Sequence, residues 1–445
     1  MEHFLDQLFQ AAKAAGIKAC EAYIVERDSF SAMIADGEVT EYKSNQTHGL
    51  GFRGIKNGRM GYSATEAFDE ASVMQLVNGV CESAELCEDE DMEFLYDGTG
   101  EVPQLKLCSD EEDGIPVSQK IELAKQLEKS MKAYDSRIVK TNRNSIRTGR
   151  YRVRIVNSYG MDRSFVEDSY VMFGMAMAKE KDSVSTGFYG VAGRTPDILQ
   201  PEKIGSETAK RAVSMLGARQ VPSGQYRVVF ENEAMADLLQ TFCGIFSAEN
   251  SQKGLSLLRE RQGEAVASAV VTIIDDPLLT EGLDCRPFDA EGVPSAAHTV
   301  IENGVFKTFL HNLKTAYKDG VETTGNASKA GYASAVHVAP SNLYIKPAQK
   351  TVDELLGIAE NGILITEVSG LHAGANPVSG DFSLLSKGFA FKDGKIVHAV
   401  EQITVAGNFY DLLRNIREVA NDLVFPLGGI GSPSIFVGEM AISGR

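Results

Sequence analysis

The chain has 445 residues, enough for two or three domains that each bury a core, and its 43 % apolar and 24 % charged content is that of an ordinary globular protein. A formal net charge of −17 argues against a sequence-independent nucleic-acid binder, which needs clustered Lys and Arg, though not against a small local basic patch. The longest near-apolar run, "AVASAVVTII" at 265–274, is too short to span a bilayer and predicts a buried strand.

The opening "MEHFLDQLFQAAKAAG" predicts an amphipathic helix. It lacks the basic and apolar regions of a signal peptide, so a cytoplasmic location is expected. The six cysteines, Cys20, Cys81, Cys87, Cys108, Cys243 and Cys285, form no C-x-x-C and are expected to be reduced structural thiols. Strands then flank an Asp36-Gly37 turn and an Asn57-Gly58 hairpin. "GLGFRG" at 49–54 matches G-x-G-x-x-G, but a hairpin follows it where a dinucleotide site needs a helix, so it reads as glycines in a twisted strand pair. A helix from about Glu66 to Glu85 covers that sheet.

Residues 82 to 113 hold thirteen acids and a single Lys, which predicts a solvated linker between subdomains. "SQKIELAKQLEKSMKAYD" predicts a helix, "YRVRIVNSYG" and "SYVMFGMAMAKE" strands, and "SETAKRAVSML" a further helix. "GARQVPSG" at 217–224 is aperiodic and marks the domain boundary. The expected plan is an N-terminal α+β domain over 1–220, with subdomains of about 1–87 and 116–220, and a β-rich domain over 221–445. The fold class is α+β with mostly antiparallel sheets, because strands and helices do not alternate as βαβ units.

"ENEAMADLLQTFCGIF" at 231–246 follows the strand "YRVVF" and predicts a helix with Met235, Leu238, Leu239, Phe242, Ile245 and Phe246 on its apolar face. Glu231, Glu233 and Asp237 crowd its first turn, where Asn232 and acids suit the helix end. Asn303-Gly304, Asn361-Gly362 and Asp393-Gly394 predict turns between β-rich runs, and helices are expected near "TVDELLGIAE" and "NFYDLLRNIREVAND". "FDAEGVPS" at 288–295 pairs Asp289 with Glu291, read as a capped turn before a strand in preference to an acid–base or cation site. His298, His311, His337, His372 and His398 are scattered, and none is at metallopeptidase i, i+4 spacing. "GLHAGANPVSGDFS" at 370–383 brings Ser379, Asp381 and His372 close in sequence without a G-x-S-x-G elbow. It predicts a structured polar loop in which Gly374, Asn376, Ser379 and Asp381 are candidate peptide-groove residues.

Several long motifs together resemble the TldD/PmbA family: "GLGFRGIKNGRMGYSAT", "FDAEGVPS" with "VIENGVFKTFLHN", "TTGNAS", "GANPVSGDFS", "EQITVAGN" and "NDLVFPLGGIGSPSIFVGEMAISG". They cover nearly the whole chain. The resemblance implies an N-terminal α+β region and a larger β-rich C-terminal domain that carries the active centre. In the family's TldD branch that centre is a zinc peptidase with H-E-x-x-x-H on the helix after a strand and a Cys near the C-terminus. There the metal polarises the peptide carbonyl and activates water while Glu takes its proton.

Aligned on "VVF…LL", the motif's first His, its Glu and its last His fall on Gln240, Thr241 and Ile245. Aligned backwards from Lys253-Gly254, they fall on Leu239, Gln240 and Gly244. Either way the ligands and the base are absent, and the last cysteine of the chain is Cys285. This is similar to the PmbA branch, also called TldE. It implies no catalytic residue and no metal site in this chain, with zinc expected only in a TldD-like metallopeptidase partner. The implied function is that of a non-catalytic subunit acting on unfolded peptides, able to form a homodimer when isolated, without nucleic-acid or membrane contact. The family also carries the label modulator of DNA gyrase, to which the acidic charge lends no support. Two alternatives are a peptidase active alone, with Asp289, Glu291 and His372 as first suspects, and a peptide- or client-binding protein without proteolysis.

Overall fold

Two tight turns build the first sheet. Asp36-Gly37 and Asn57-Gly58 both take positive φ at both residues, the hairpin geometry that matches strand twist. In the computed structural model, which describes residues 1–88, 91–109 and 114–445, they join β1 (Ala19–Ala35), β2 (Glu38–Lys56) and β3 (Arg59–Thr65). β4 (Ile138–Asn157), β5 (Asp162–Glu180) and β6 (Ser183–Gly193) complete an antiparallel sheet of order β3-β2-β1-β4-β5-β6. These strands are far longer than the local sequence pattern marks, and β1 pairs with β4 so that residues before and after the acidic stretch share one sheet.

One parity of β1 carries the helices, which divide along the strand. Ala22 and Ile24 face helices α1 (Glu2–Ala14) and α2 (Glu70–Leu86), while Phe30, Ala32 and Ile34 face α3 (Val117–Tyr134) and α4 (Pro201–Ser214). The glycines of "GLGFRG" serve close approach. A Cβ on Gly49 would meet the Tyr332 ring at 2.3 Å, and one on Gly51 would meet the Tyr332 carbonyl, so the C-terminal half sits directly on β2.

Of the acidic stretch, residues 89–90 and 110–113 lie outside the described residues. The remainder is less solvated than the sequence predicts. Leu95 and Leu107 are buried, Glu93 accepts from Tyr62 and pairs with Lys314, and Asp91 pairs with Lys318. Apolar residues set among the acids dock the strap onto both halves.

The C-terminal half is built on β7 (Gly224–Phe230). β7 pairs parallel with Gly362–Ser369 and antiparallel with Ile435–Ser443. Strands Asp381–Lys392 and Lys395–Asn408 follow, and residues 404–406 pair with 441–443, which closes a five-stranded barrel. A second, small sheet runs Val305–Phe306, His298–Glu302, Ile273–Asp275, Leu343–Ile345 and Ile430–Gly431.

Three expectations are corrected here. The run 265–274 contributes only Ile273–Asp275 as strand. Its earlier amides bond the Gly304, Leu413 and Ser268 carbonyls, and on this irregular backbone Val266, Ala267 and Val271 are buried while Ala265, Ala269 and Val270 are exposed. Asn361-Gly362 does not lie between two β-rich runs. The positive φ falls on Glu360, at the end of helix Val352–Ala359, and the chain passes from that helix into a strand. The last helix is short, Phe409–Asn415, because Ile416 leaves helical geometry to bury its side chain.

Candidate functional site

The helix expected at 231–246 is α-helical as α5 (Asn232–Phe242) and tightens to a 3-10 turn over Cys243–Phe246. All six of its expected apolar residues are buried, in a core shared by the barrel and the small sheet. Phe242 stacks on Phe409 at 4.6 Å and meets Phe382 at 6.1 Å.

The start of α5 is held by tertiary contacts in place of a simple cap. Asn232 donates to Asp422 at 3.1 Å through Nδ2, and its backbone N–H donates to the Ser434 hydroxyl. Asp422 in turn accepts from the Ser434 amide and hydroxyl. The motif "NDLVFPLGGIGSPS" therefore clamps the helix entrance. The Glu233 side chain, in the first turn of α5, takes a two-pronged bond from Arg211 of α4, both at 2.7 Å, across the two halves. Burial pushes the Glu231 carboxyl up to about 7 and the Asp237 carboxyl up to about 6. Glu231 and Arg211 border a small cavity of about 200 Å³ between α4, β6 and the barrel. Arg211 carries no motif, and its pairing with a residue 22 positions on is invisible to periodicity.

The positions that align with the zinc motif do not fit a metal. Gln240 is exposed and neutral. The Thr241 hydroxyl donates back to the Asp237 carbonyl at 2.8 Å, and Ile245 is 1 % exposed in the core. In the other register Leu239 is fully buried and Gly244 offers only its carbonyl, which already accepts from Asn250. The nearby Cys243 thiol is pushed up to about 11 by burial, so it holds no thiolate near neutrality. Among the described residues no three His, Cys, Asp or Glu side chains are grouped to hold a metal ion.

The loop at 370–383 is ordered by its own polar groups. Asn376 Oδ1 accepts from the amides of Val378 and Ser379, and Ser379 Oγ donates to Asp381 at 2.8 Å. Asn408 donates to the Ser379 carbonyl and to Asp381, while Gly374 crosses the Ser383 carbonyl too closely for a Cβ. The structure thus brings Gly374, Asn376, Ser379 and Asp381 together. The Ser379–Asp381 bond involves no histidine.

Asp289 and Glu291 are buried and committed to structure. Asp289 accepts the amides of Glu291, Val293 and Ala327, which is the capped turn read from the sequence. Glu291 accepts from the Leu313 amide and faces Arg53 at 3.4 Å, with Glu21 on the other side of Arg53 at 2.8 Å. Burial raises both carboxyl pKa values, against the pull of these donors. His372 lies apart in the short turn Leu371–Gly374 beside the barrel.

Three family profiles match in the order of the chain: PmbA/TldA metallopeptidase domain 1 over 20–84, the central domain over 110–216 and the C-terminal domain over 223–444. The chain belongs to the PmbA/TldD metallopeptidase family. Its curated relatives include a metalloprotease PmbA homolog of Haemophilus influenzae, 28 % identical over 94 % of this chain and 90 % of that protein. Metalloprotease PmbA of Escherichia coli O157:H7 is 26 % identical over 96 % and 92 %. A solved Thermotoga maritima structure, described as a candidate modulator of a DNA gyrase, superposes with a TM-score of 0.91 at 35 % identity, covering 99 % of this chain and all of that one. TldE from Thermococcus kodakarensis shares the fold at a TM-score of 0.89 and 22 % identity, covering 99 % and 100 %. No helix among the described residues of this PmbA/TldD-family chain is long and apolar enough to cross a membrane.

Proposed function

We propose that this chain is a TldE-type, non-catalytic subunit of a heteromeric metallopeptidase that processes unfolded peptides. Its TldD-like partner carries the H-E-x-x-x-H zinc centre. The observation that carries this reading is the chemistry of α5. A zinc site needs three protein donors converging on one point. Here the aligned positions are an exposed amide, a hydroxyl bonded to its own helix, and a core isoleucine. The helix keeps its apolar face, so the scaffold folds without a metal. In this reading the chain shapes the peptide path, with the loop containing Gly374, Asn376, Ser379 and Asp381 along it.

Metal analysis and a casein-type digestion assay, with and without a TldD-like sibling chain, test the proposal. The isolated chain is expected to carry no stoichiometric zinc and to cut nothing. With the sibling, activity should appear and the two chains should co-purify. Stoichiometric zinc together with hydrolysis by the isolated chain would overturn it.

A further inference from the structure

The face of the first sheet opposite its helices changes character along the strands. At one end Tyr23 and Val25 pack with Val153, Ile155 and Phe288, so the C-terminal half covers it. Farther along β1 the cover stops. A cleft of about 720 Å³ opens there, rimmed on the C-terminal side by Leu283, Lys329 and Ala330.

Its floor follows from the register. Asn45, Ser29, Gly149 and Ser169 lie side by side on β2, β1, β4 and β5 and make a low trough of small residues. Arg27 and Tyr151 stand in the row on one side, Lys43 and Arg147 in the row on the other. Four strand positions separate the outer rows, about 13 Å.

The charges are unevenly matched. Asp28 pairs with Arg152 and Glu167 with Arg194, each at 2.9 Å, and Glu41 pairs with Lys43. Arg27 and Arg147 border the same cleft and form no ion pair among the described residues, whereas the Lys329 ammonium lies over Tyr23 at the covered end, in the field of Glu21 and Glu291. Each arginine is instead held over a ring: Arg27 over Tyr151 at 5.1 Å and Arg147 over Phe173 at 5.0 Å. A cation positioned in this way keeps its N–H donors for an incoming anion.

We propose that this cleft binds the carboxylates of an acidic, extended peptide segment, anchored by Arg27 and Arg147. The row spacing equals that of side chains i and i+4 on an extended chain, so one peptide can meet both arginines. The net charge of −17 decides against a polyanion. A nucleic acid reaches well beyond the roughly 8 Å over which salt screens the surrounding negative surface, whereas one or two carboxylates feel only the local cations. The peptide nature of the ligand rests on the function proposed above; the anion preference rests on the cleft alone.

Fluorescence anisotropy on the isolated full chain tests this without any partner or proteolysis. The probes are labelled ten-residue peptides with Glu at i and i+4, the same peptides with Gln, and a labelled oligo-dT. The Glu peptide is expected to bind about tenfold more tightly than the Gln peptide, the worth of one charge-assisted hydrogen bond. Arg27→Gln and Arg147→Gln should each weaken it, and the double variant should erase the preference. Both arginines are exposed on strands, and circular dichroism verifies that the variants fold. Equal binding of the two peptides, no binding of the Glu peptide, a preference that survives the double variant, or tighter binding of oligo-dT would overturn the proposal. Loss of partner-dependent activity would count against the subunit reading and leave this result unmoved.

Discussion

Glu231→Gln is expected to stabilise the protein, increasingly so as pH rises. Glu231 sits at the entrance to α5, where burial lifts its carboxyl from 4.5 in the unfolded chain to about 7. The folded state therefore binds the proton more tightly. Its contribution to stability is fully present below the unfolded value and is lost as pH rises through about 7. With those two values the ionisation penalty is about 1.4 kcal/mol near pH 5.5 and about 3.3 kcal/mol near pH 8, a difference of about 2 kcal/mol. An unfolding entropy of about 2.1 cal/mol/K per residue over this chain gives about 0.9 kcal/mol/K, so the difference amounts to about 2 °C. Glutamine keeps the shape and removes the charge. Differential scanning fluorimetry of both proteins from about pH 5.5 to 8 should show the variant's Tm advantage growing by that amount. A constant offset across the range, or a variant less stable at pH 8, would show that the Glu231 carboxyl is already ionised without penalty and refute the reasoning.

Arg53→Met leaves Glu21 and Glu291 buried without their shared cation and should cost about 3–5 kcal/mol, read from urea midpoints; a loss under about 1 kcal/mol would mean the cluster is hydrated. Arg211→Ala breaks the two-pronged bond between the halves and should cost about 1–2 kcal/mol, with a double-mutant cycle against Glu233→Gln recovering most of that as coupling. Gly380→Ala forces a Cβ to 2.6 Å from the Tyr410 ring at a φ of +83°, so a loss of about 1–3 kcal/mol is expected. Gly331→Ala meets nothing within 4 Å and should stay within about 0.5 kcal/mol by the same thermal assay.

Local rules carried much of the fold. The Asp36-Gly37 and Asn57-Gly58 turns, the amphipathic helices and the polar loop at 370–383 each follow from a few neighbouring residues. The run 265–274 misled because an apolar decapeptide need be neither strand nor wholly buried: its amides find scattered carbonyls on irregular backbone, and Ala265, Ala269 and Val270 face outward. The acidic strap misled because Leu95 and Leu107 are too sparse for periodicity to register, yet each fills a hole in the folded protein.

The sequence by itself determined the α+β class and which side chains stand at the positions that the family resemblance aligns with the zinc motif. Helix and turn formation depend on short-range sterics, and what a side chain can coordinate depends only on what it is. Tertiary structure decided the rest: that Asn232 is clamped by Asp422 and Ser434, that Glu233 reaches Arg211 across the halves, and that Arg53 lies between Glu21 and Glu291. It also decided that two arginines with no ion pair among the described residues border one cleft. Those pairings join residues up to 238 positions apart, and only the closing of the barrel and the docking of the two halves brings such groups within hydrogen-bonding distance.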